Sequence, residues 1–372
     1  MSTPEISAAG RALTGGFGAW PRPLLWLSLL GLSALISVAW SALGLPAALL
    51  LGPMIGGIVF GVKGANLNLA RAPSFFAQAV IGAMVSAGIT SSILVTFREQ
   101  YVLFCVVMLA TLLGAAAIGW LISRTGLIPG ATAVFGTAPG AATAMVLLGE
   151  AEGADVRLVA FMQYSRVLLV AVAAALVGRF WAHAGGVQAG ATWLSPVRWD
   201  NLAMVLALAL LGQQVARLLR LQGWALLGPM LLLSALHAAG WLDINLPRWV
   251  LAAAYALLGW RVGLSFRRDA LMHAGRALPV VLAAALSLMG LCAALAWCLT
   301  RFAHTDALTA YLATSPGGLE SAAIIAATTP HVDLPFVLAL QVVRLLFTIC
   351  LAPLVTRLVA RHSAHLQAEA RP

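Results

Sequence analysis

Charge is what this 372-residue chain has least of: charged residues make up 9% of it, against 62% hydrophobic. That leaves too few polar groups to coat a soluble protein of this size, so the solvent is lipid. Lysine is nearly absent, Lys63 being the only one, and the net charge of +10 comes from arginines spread singly between apolar runs. No cluster of them forms a face that tracks phosphates, which excludes a nucleic-acid partner. Cys105, Cys292, Cys298 and Cys350 all lie within apolar runs, with no close pair at metal-ligand spacing. This excludes a disulfide framework and a zinc site, and the thiols read as small, inert hydrophobes. Neither a metal nor a cofactor is expected.

What the chain does have is a statement made twice. Leu51-Gly52-Pro53-Met54 returns as Leu227-Gly228-Pro229-Met230, 176 residues on, and Thr137-Ala138-Pro139-Gly140 returns as Thr314-Ser315-Pro316-Gly317, 177 on. Gln163-Tyr164-Ser165-Arg166 then returns as Gln341-Val342-Val343-Arg344 at an offset of 178, with Asp155 and Asp333 matched at the same offset. A duplication inside an integral membrane protein is the signature of a transporter-type scaffold, whose substrate site lies where the halves meet near the bilayer midplane.

Apolar runs fall at 24–43, 45–62, 73–95, 101–123, 129–149 and 157–178, and again at 199–219, 224–241, 248–266, 277–300, 307–328 and 335–357. Residues 1–23 form a cytoplasmic tail, 24–179 and 199–358 the two membrane repeats, 180–198 a Gly- and Pro-containing linker, and 359–372 a second cytoplasmic tail. The first run is about twenty residues long and is expected to stay in the bilayer as an anchor rather than be cleaved. Six crossings per half would make the halves parallel; five crossings plus one broken or re-entrant segment would invert them. With the Pro-Gly segments entering and leaving on one side, 14 basic residues fall inside and five outside, and the group Arg267, Arg268 and Arg276 is inside. The expectation is an all-α integral membrane protein of about ten transmembrane helices, built as two inverted repeats and lying in the bacterial inner membrane.

The Pro139-Gly140 and Pro316-Gly317 breaks are the first site candidates. A helix broken in lipid exposes amides and carbonyls that protein, water or a ligand must satisfy, and a half-helix starting after the break aims its positive end inward. Arg166 and Arg344 follow: at about 1.5 Å per residue they lie about 15 Å into their helices, half the thickness of the core. Either they contact a substrate or coupling ion, or they clamp helices by ion pairs or carbonyl bonds. Gln163 and Gln341, one turn earlier, share their face. Glu320 stands opposite Thr143 in the repeat alignment, so a carboxylate occupies one side only; it is either a proton carrier or the counter-ion of an arginine. Gly52, Gly56, Gly57 and Gly61 read as ordinary helix packing.

These motifs in this order, twice over, resemble the bacterial membrane protein AbrB family, with its internal duplication, across residues 24–360. Proteins resembling this carry two labels, a regulator of gene expression and an ammonia monooxygenase. The chain shows neither a DNA-binding module nor the metal cluster a monooxygenase needs. The resemblance also reaches distantly to the cation/proton antiporter and anion transporter superfamily, which implies inverted repeats and crossed broken helices. The expected function is ion-coupled transport of a small, anionic solute by alternating access, with no enzymatic chemistry. The competing expectation is a membrane-embedded regulatory or sensory protein. The expected partners are the solute and the lipid bilayer, with self-association open.

Overall fold

The computed structural model describes residues 20–181 and 197–348, apart from Asn66, Thr90, Gly140, Ala141, Gln222, His304, Gly318, Pro330, His331, Leu345 and Leu346, together with Leu351, Leu354 and Leu358. Those residues hold helices and no strands. The first half runs α1 (Arg22–Ala42), α2 (Ala48–Val62), α3 (Arg71–Gly88), α4 (Ser91–Arg124), α5 (Gly130–Thr137), α6 (Ala142–Ala151) and α7 (Val156–Trp181). The second runs α8 (Trp199–Leu218), α9 (Trp224–Ala238), α10 (Arg248–Gly263), α11 (Arg268–Ala274), α12 (Leu278–Phe302), α13 (Ala307–Thr314), α14 (Leu319–Thr328) and α15 (Leu334–Arg344). Helices matched by the sequence repeat have matched lengths: 15 residues for α2 and α9, eight for α5 and α13, and ten for α6 and α14.

Among the described residues, five helical stretches are long and apolar enough to cross a membrane: α1, Gln100–Arg124 of α4, Val156–Val177 of α7, α8 and α12. Their outward faces carry large apolar side chains, Leu27, Leu35 and Val38 on α1 and Leu286 and Trp297 on α12 among them. This is the surface of a membrane protein, whose solvent is acyl chain. Burial also ranks the helices: 61% of the apolar window of α7 is enclosed, against 22% for α1. The helix bearing Gln163 and Arg166 is thus central and α1 peripheral.

Two sequence boundaries shift. The third run, expected to continue to residue 95, ends at Gly88. The fourth begins at Ser91 as a single helix bent at Gln100 (φ −120°, ψ 20°), so a kink replaces the expected loop. In the second half the matched stretch is the short α11, separated from α12 by a turn. Most of the linker, 182–196, lies outside the described residues.

The glycines do more than ordinary packing. A Cβ on Gly52 would strike Ser37 of α1, and one on Gly56 would lie 2.8 Å from Ser33 Oγ. Between the halves the approach is backbone to backbone. A Cβ on Gly259 would sit 2.6 Å from Leu50 O, one on Gly61 2.8 Å from Phe266 O, and one on Gly263 would collide with Met54 O. Residue numbers rise together along this contact, so α2 and α10 run in the same direction. At the matched crossing of α9 with α3, a Cβ on Gly82 would sit 2.9 Å from Leu226 O, and Ser86 Oγ donates to Met230 O at 3.0 Å. Each Leu-Gly-Pro-Met helix therefore packs on the third helix of the other half. Without a hydrophobic drive between helices in lipid, such close approach is what holds them.

Pro229 sits inside α9 and removes the bond to the carbonyl four residues back, Ala225. Gln213 Nε2 donates to that carbonyl at 2.6 Å and to Phe75 O at 2.7 Å, tying α8, α9 and α3 together.

Gly259→Leu is expected to lower the melting temperature in detergent, by an overpacking cost of about 1–3 kcal/mol. Gly290→Leu, with nothing within 4 Å of its added Cβ, is the control and is expected to melt as the parent does.

Candidate functional site

Each Pro-Gly segment folds as a pair of short helices around a break. Helix α5 ends at Thr137, α6 starts at Ala142, and α6 returns alongside α5: a Cβ on Gly149 would lie 3.5 Å from Phe135 Cβ. At the open end the Asp155 amide donates to Thr132 Oγ1 at 2.9 Å. The second hairpin repeats this closure, the Asp333 amide donating to Thr309 Oγ1 at 3.1 Å. Asp155 and Asp333 also cap the helices that follow, Asp155 Oδ1 accepting from Arg157 N and Leu158 N and Asp333 Oδ1 from Phe336 N.

The breaks leave helix C-terminal carbonyls without intrahelical donors, because Pro139 and Pro316 have no N–H and the chain turns away. Gln163 Nε2 donates to Phe135 O at 2.8 Å and to Ala138 O at 3.0 Å. Arg166 Nη1 donates to Thr137 O at 3.2 Å and Ala138 O at 2.8 Å, while its Nη2 donates to Gln163 Oε1 at 2.7 Å. In the second half Gln341 Nε2 donates to Leu312 O at 2.8 Å, and Arg344 donates through Nη1 to Ser315 O and through Nη2 to Gly317 O at 2.5 Å. Thr137 Oγ1 donates back to Ala133 O, and Thr314 Oγ1 to Ala310 O and to Cys292 O. A guanidinium at the C-terminal end of a helix also meets the negative end of its dipole.

Of the sequence-derived candidates, the structure gathers Pro139, Gln163 and Arg166 at one tip and Pro316, Gly317, Gln341 and Arg344 at the other, all buried. Gly140 and the side chain of Glu320 lie outside the described residues. The second tip comes against α7: a Cβ on Gly317 would sit 3.0 Å from Val170 Cγ1, one turn past Arg166. Gly317 O accepts from Arg344, so the second clamp also lies against α7 near Arg166. Of the two readings open for the arginines, these bonds are those of the carbonyl clamp. No carboxylate pairs with either guanidinium among the described side chains. Arg166 Nε is buried without a partner. A half-open cavity beside it is lined by Gly136, Thr137 and Met162 and by Val281, Ala284, Ala285 and Leu288 of α12.

Sequence reasoning missed Thr132, Thr309 and Cys292. The two threonines were readable, since they recur 177 residues apart. Cys292 was not: it is fully buried on α12 within the field of both arginines, an arrangement only the tertiary fold creates.

At the open end of the first hairpin, His273 Nε2 lies 2.6 Å from Asp155 Oδ2 and ties α11 to the start of α7. Partial burial pushes the Asp155 carboxyl up, but the His273 hydrogen bond, the amides of Leu158 and Arg157 and the imidazole charge outweigh this and hold it below its ordinary value of 3.8. A depressed carboxyl stabilises the fold fully above the ordinary value and loses that contribution as pH falls through the lowered one. Asp155→Asn should therefore flatten the acid side of a melting-temperature profile, by no more than about 1 kcal/mol for so exposed a pair. Arg344→Lys should cost more at every pH, about 1–3 kcal/mol, because an ammonium lacks the planar fork that holds two carbonyls. Thermal melts in detergent measure both.

Residues 49–360 match a family model described as Transition state regulatory protein AbrB. Over 342 residues, 91% of this chain and 98% of the other, the chain is 43% identical to a protein of Escherichia coli (strain K12) that carries the provisional name of a regulator, AbrB. It is 28% identical over 309 residues to an uncharacterized protein, YhjN, of Bacillus subtilis (strain 168), covering 77% of this chain and 78% of that one.

Proposed function

The chain belongs to the AbrB family, and from that premise and its two clamped hairpin tips we propose that it is a secondary transporter carrying a small, anionic solute across the bacterial inner membrane by alternating access. The observation that carries this reading is a pair of broken-helix hairpins, one from each half, each clamped by a buried arginine that no described carboxylate neutralises, with the second tip against the helix that bears the first arginine. Backbone broken at membrane depth is tolerated where it lines a cavity, and discontinuous helices meeting at a repeat interface are how transporters hold solutes. Guanidinium forks engaged by carbonyls supply charge to such a site rather than a grip. The direct contacts then fall to the amino ends of α6 and α14, whose dipoles point positive at the tips.

Inverted halves of five crossings each are part of the proposal. The shared direction of α2 and α10 supports them, because α10 follows the helix that is the repeat partner of α2. So does the folding back of each hairpin on itself, which in a bilayer would leave an odd number of crossings per half. Glu320, one turn past the second break, is the proposed site of the coupling proton.

The test is uptake into vesicles reconstituted with the purified protein, screened with labelled small carboxylates and inorganic anions under an imposed proton or sodium gradient. Gradient-driven accumulation is expected, and Glu320→Gln should keep exchange while losing uphill accumulation. Reporter fusions after Lys63 and after Arg268 should both read cytoplasmic, and one within the 180–198 linker periplasmic. The descriptions of the family model and of the Escherichia coli relative favour the second reading, a membrane-embedded regulator that moves nothing. Failure of every solute to exchange, with expression of target genes altered in a deletion strain, would decide for it.

A further inference from the structure

The helices sort into two sets by how they pack. The first three helices of each repeat, α1 to α3 and α8 to α10, pack on one another, and α4 to α7 pack with α12 to α14. Gln341 and Arg344 bind α15 to the second set, which therefore carries both clamps. Within the first set backbones touch: besides the crossings at Gly259 and Gly82, a Cβ on Gly57 would lie 3.0 Å from Gly263 Cα. Bonds between its helices stay inside it as well, Gln213 donating to Phe75 O, Trp260 Nε1 to Ser33 Oγ and Tyr255 Oη to Met84 Sδ. Across the boundary α14 lies against α3, a Cβ on Gly88 of α3 would meet Leu338 Cδ1 of α15 at 2.7 Å, and Phe161 of α7 meets Phe266 edge to face with ring centroids 5.8 Å apart. Interlocked backbones make a rigid unit, and apolar side-chain ends permit the shear by which packed units slide.

Helix α11 spans the two sets. It lies between α10 and α12 in the chain and packs on α2 of the first set and α7 of the second. His273 Nε2, 2.6 Å from Asp155 Oδ2, fastens it there. Asp155 closes the first hairpin through its amide and caps α7 through Oδ1, so the bond reaches the helix that carries Arg166. The duplication marks this bond as an addition to the scaffold: Asp333 repeats Asp155, but the residue 177 places before His273 is Thr96. Both partners are partly exposed, which gives protons access to them. Other charges stand on the surrounding elements. Glu150 and Glu152 lie about the end of α6, Arg157 on α7, Lys63 after α2, and Arg267, Arg268 and Arg276 about α11; the side chain of Asp269 lies outside the described residues. Of the charged side chains, His273 is the one that acts on Asp155: burial pushes the carboxyl up, and the His273 bond and charge with two backbone amides bring it below 3.8.

We propose that His273 and Asp155 form a pH-operated latch between the two sets of helices, closed by their ion pair at acid pH and released when the imidazole loses its proton. Asp155 stays ionised down to below 3.8, and an ordinary imidazole carries its charge below about 6.5. The pair is therefore fully charged on the acid side of neutrality, and as pH rises it keeps at most a neutral hydrogen bond, which is weaker. A pair this exposed shifts the ratio of latched to free molecules by up to about fivefold. The latch rests on the transport reading for its premise that the two sets move against one another.

The test is the distance between spin labels carried on unnatural residues at Asn68, beyond α2, and Leu127, beyond α4, both exposed, in the full-length protein in lipid nanodiscs. It is measured at about pH 5.5 and about pH 8, on either side of the ordinary imidazole value. The parent is expected to favour one distance at the lower pH and to lose up to about fivefold of that preference at the higher. His273→Gln, which keeps a donor but gains no charge, should give the higher-pH distribution at both. His273→Lys, charged at both, should give the lower-pH distribution at both. Asp155→Asn keeps an oxygen to cap α7 and should match His273→Gln, which holds the test open if either variant fails to fold. Distances that do not respond to pH in the parent, or a response that survives His273→Gln or Asp155→Asn, overturn the latch. No solute enters the measurement, so its outcome is read apart from uptake: a pH-switched distance without uptake keeps the latch and removes the transporter, and uptake with an unswitched distance does the reverse.

Discussion

A backbone carbonyl in hydrocarbon has no water to turn to, and each hairpin tip strands several of them where the chain breaks at proline. The whole centre of the molecule follows from how those carbonyls are satisfied. Gln163 and Arg166 reach back from α7 to Phe135, Thr137 and Ala138; Gln341 and Arg344 reach back from α15 to Leu312, Ser315 and Gly317. An arginine is the side chain for this task because its donors lie in a fixed plane and its charge persists when buried. The helix that follows each hairpin is consequently its partner, and the two move as one body if they move at all.

The clamp creates a second constraint. Two cations are brought to neighbouring places in a medium that screens them poorly, and no described carboxylate stands beside them. Their charge is held in place by carbonyl oxygens rather than by a described counter-ion.

Much of this was legible in the sequence. The repeated Pro-Gly and Gln-x-x-Arg motifs located both tips and both clamps, because burying a broken helix in lipid demands a donor nearby and arginine at mid-depth is rarely placed without reason. The breaks in the Pro-Gly segments and the long apolar helices could be read from the motifs and run lengths. The glycine crossings could not: whether Gly52, Gly57 or Gly61 matters depends on which backbone lies opposite, and Gly57 and Gly61 face the other half of the chain. The Glu320 side chain lies outside the described residues, so its sequence reading stands unaided.

The exchange of packing partners between halves bears on how the protein is made. Helix α2 finds its close neighbour in α10 and α9 finds its own in α3, so the first half leaves the ribosome with Gly57 and Gly61 facing a groove whose occupant has not yet been synthesised. Until α10 arrives, that groove is covered by lipid or by another membrane protein. Assembly is thus a late, concerted event rather than the docking of two finished halves. A chain halted after the first repeat is left with an adhesive face, and membrane quality control has a surface to recognise.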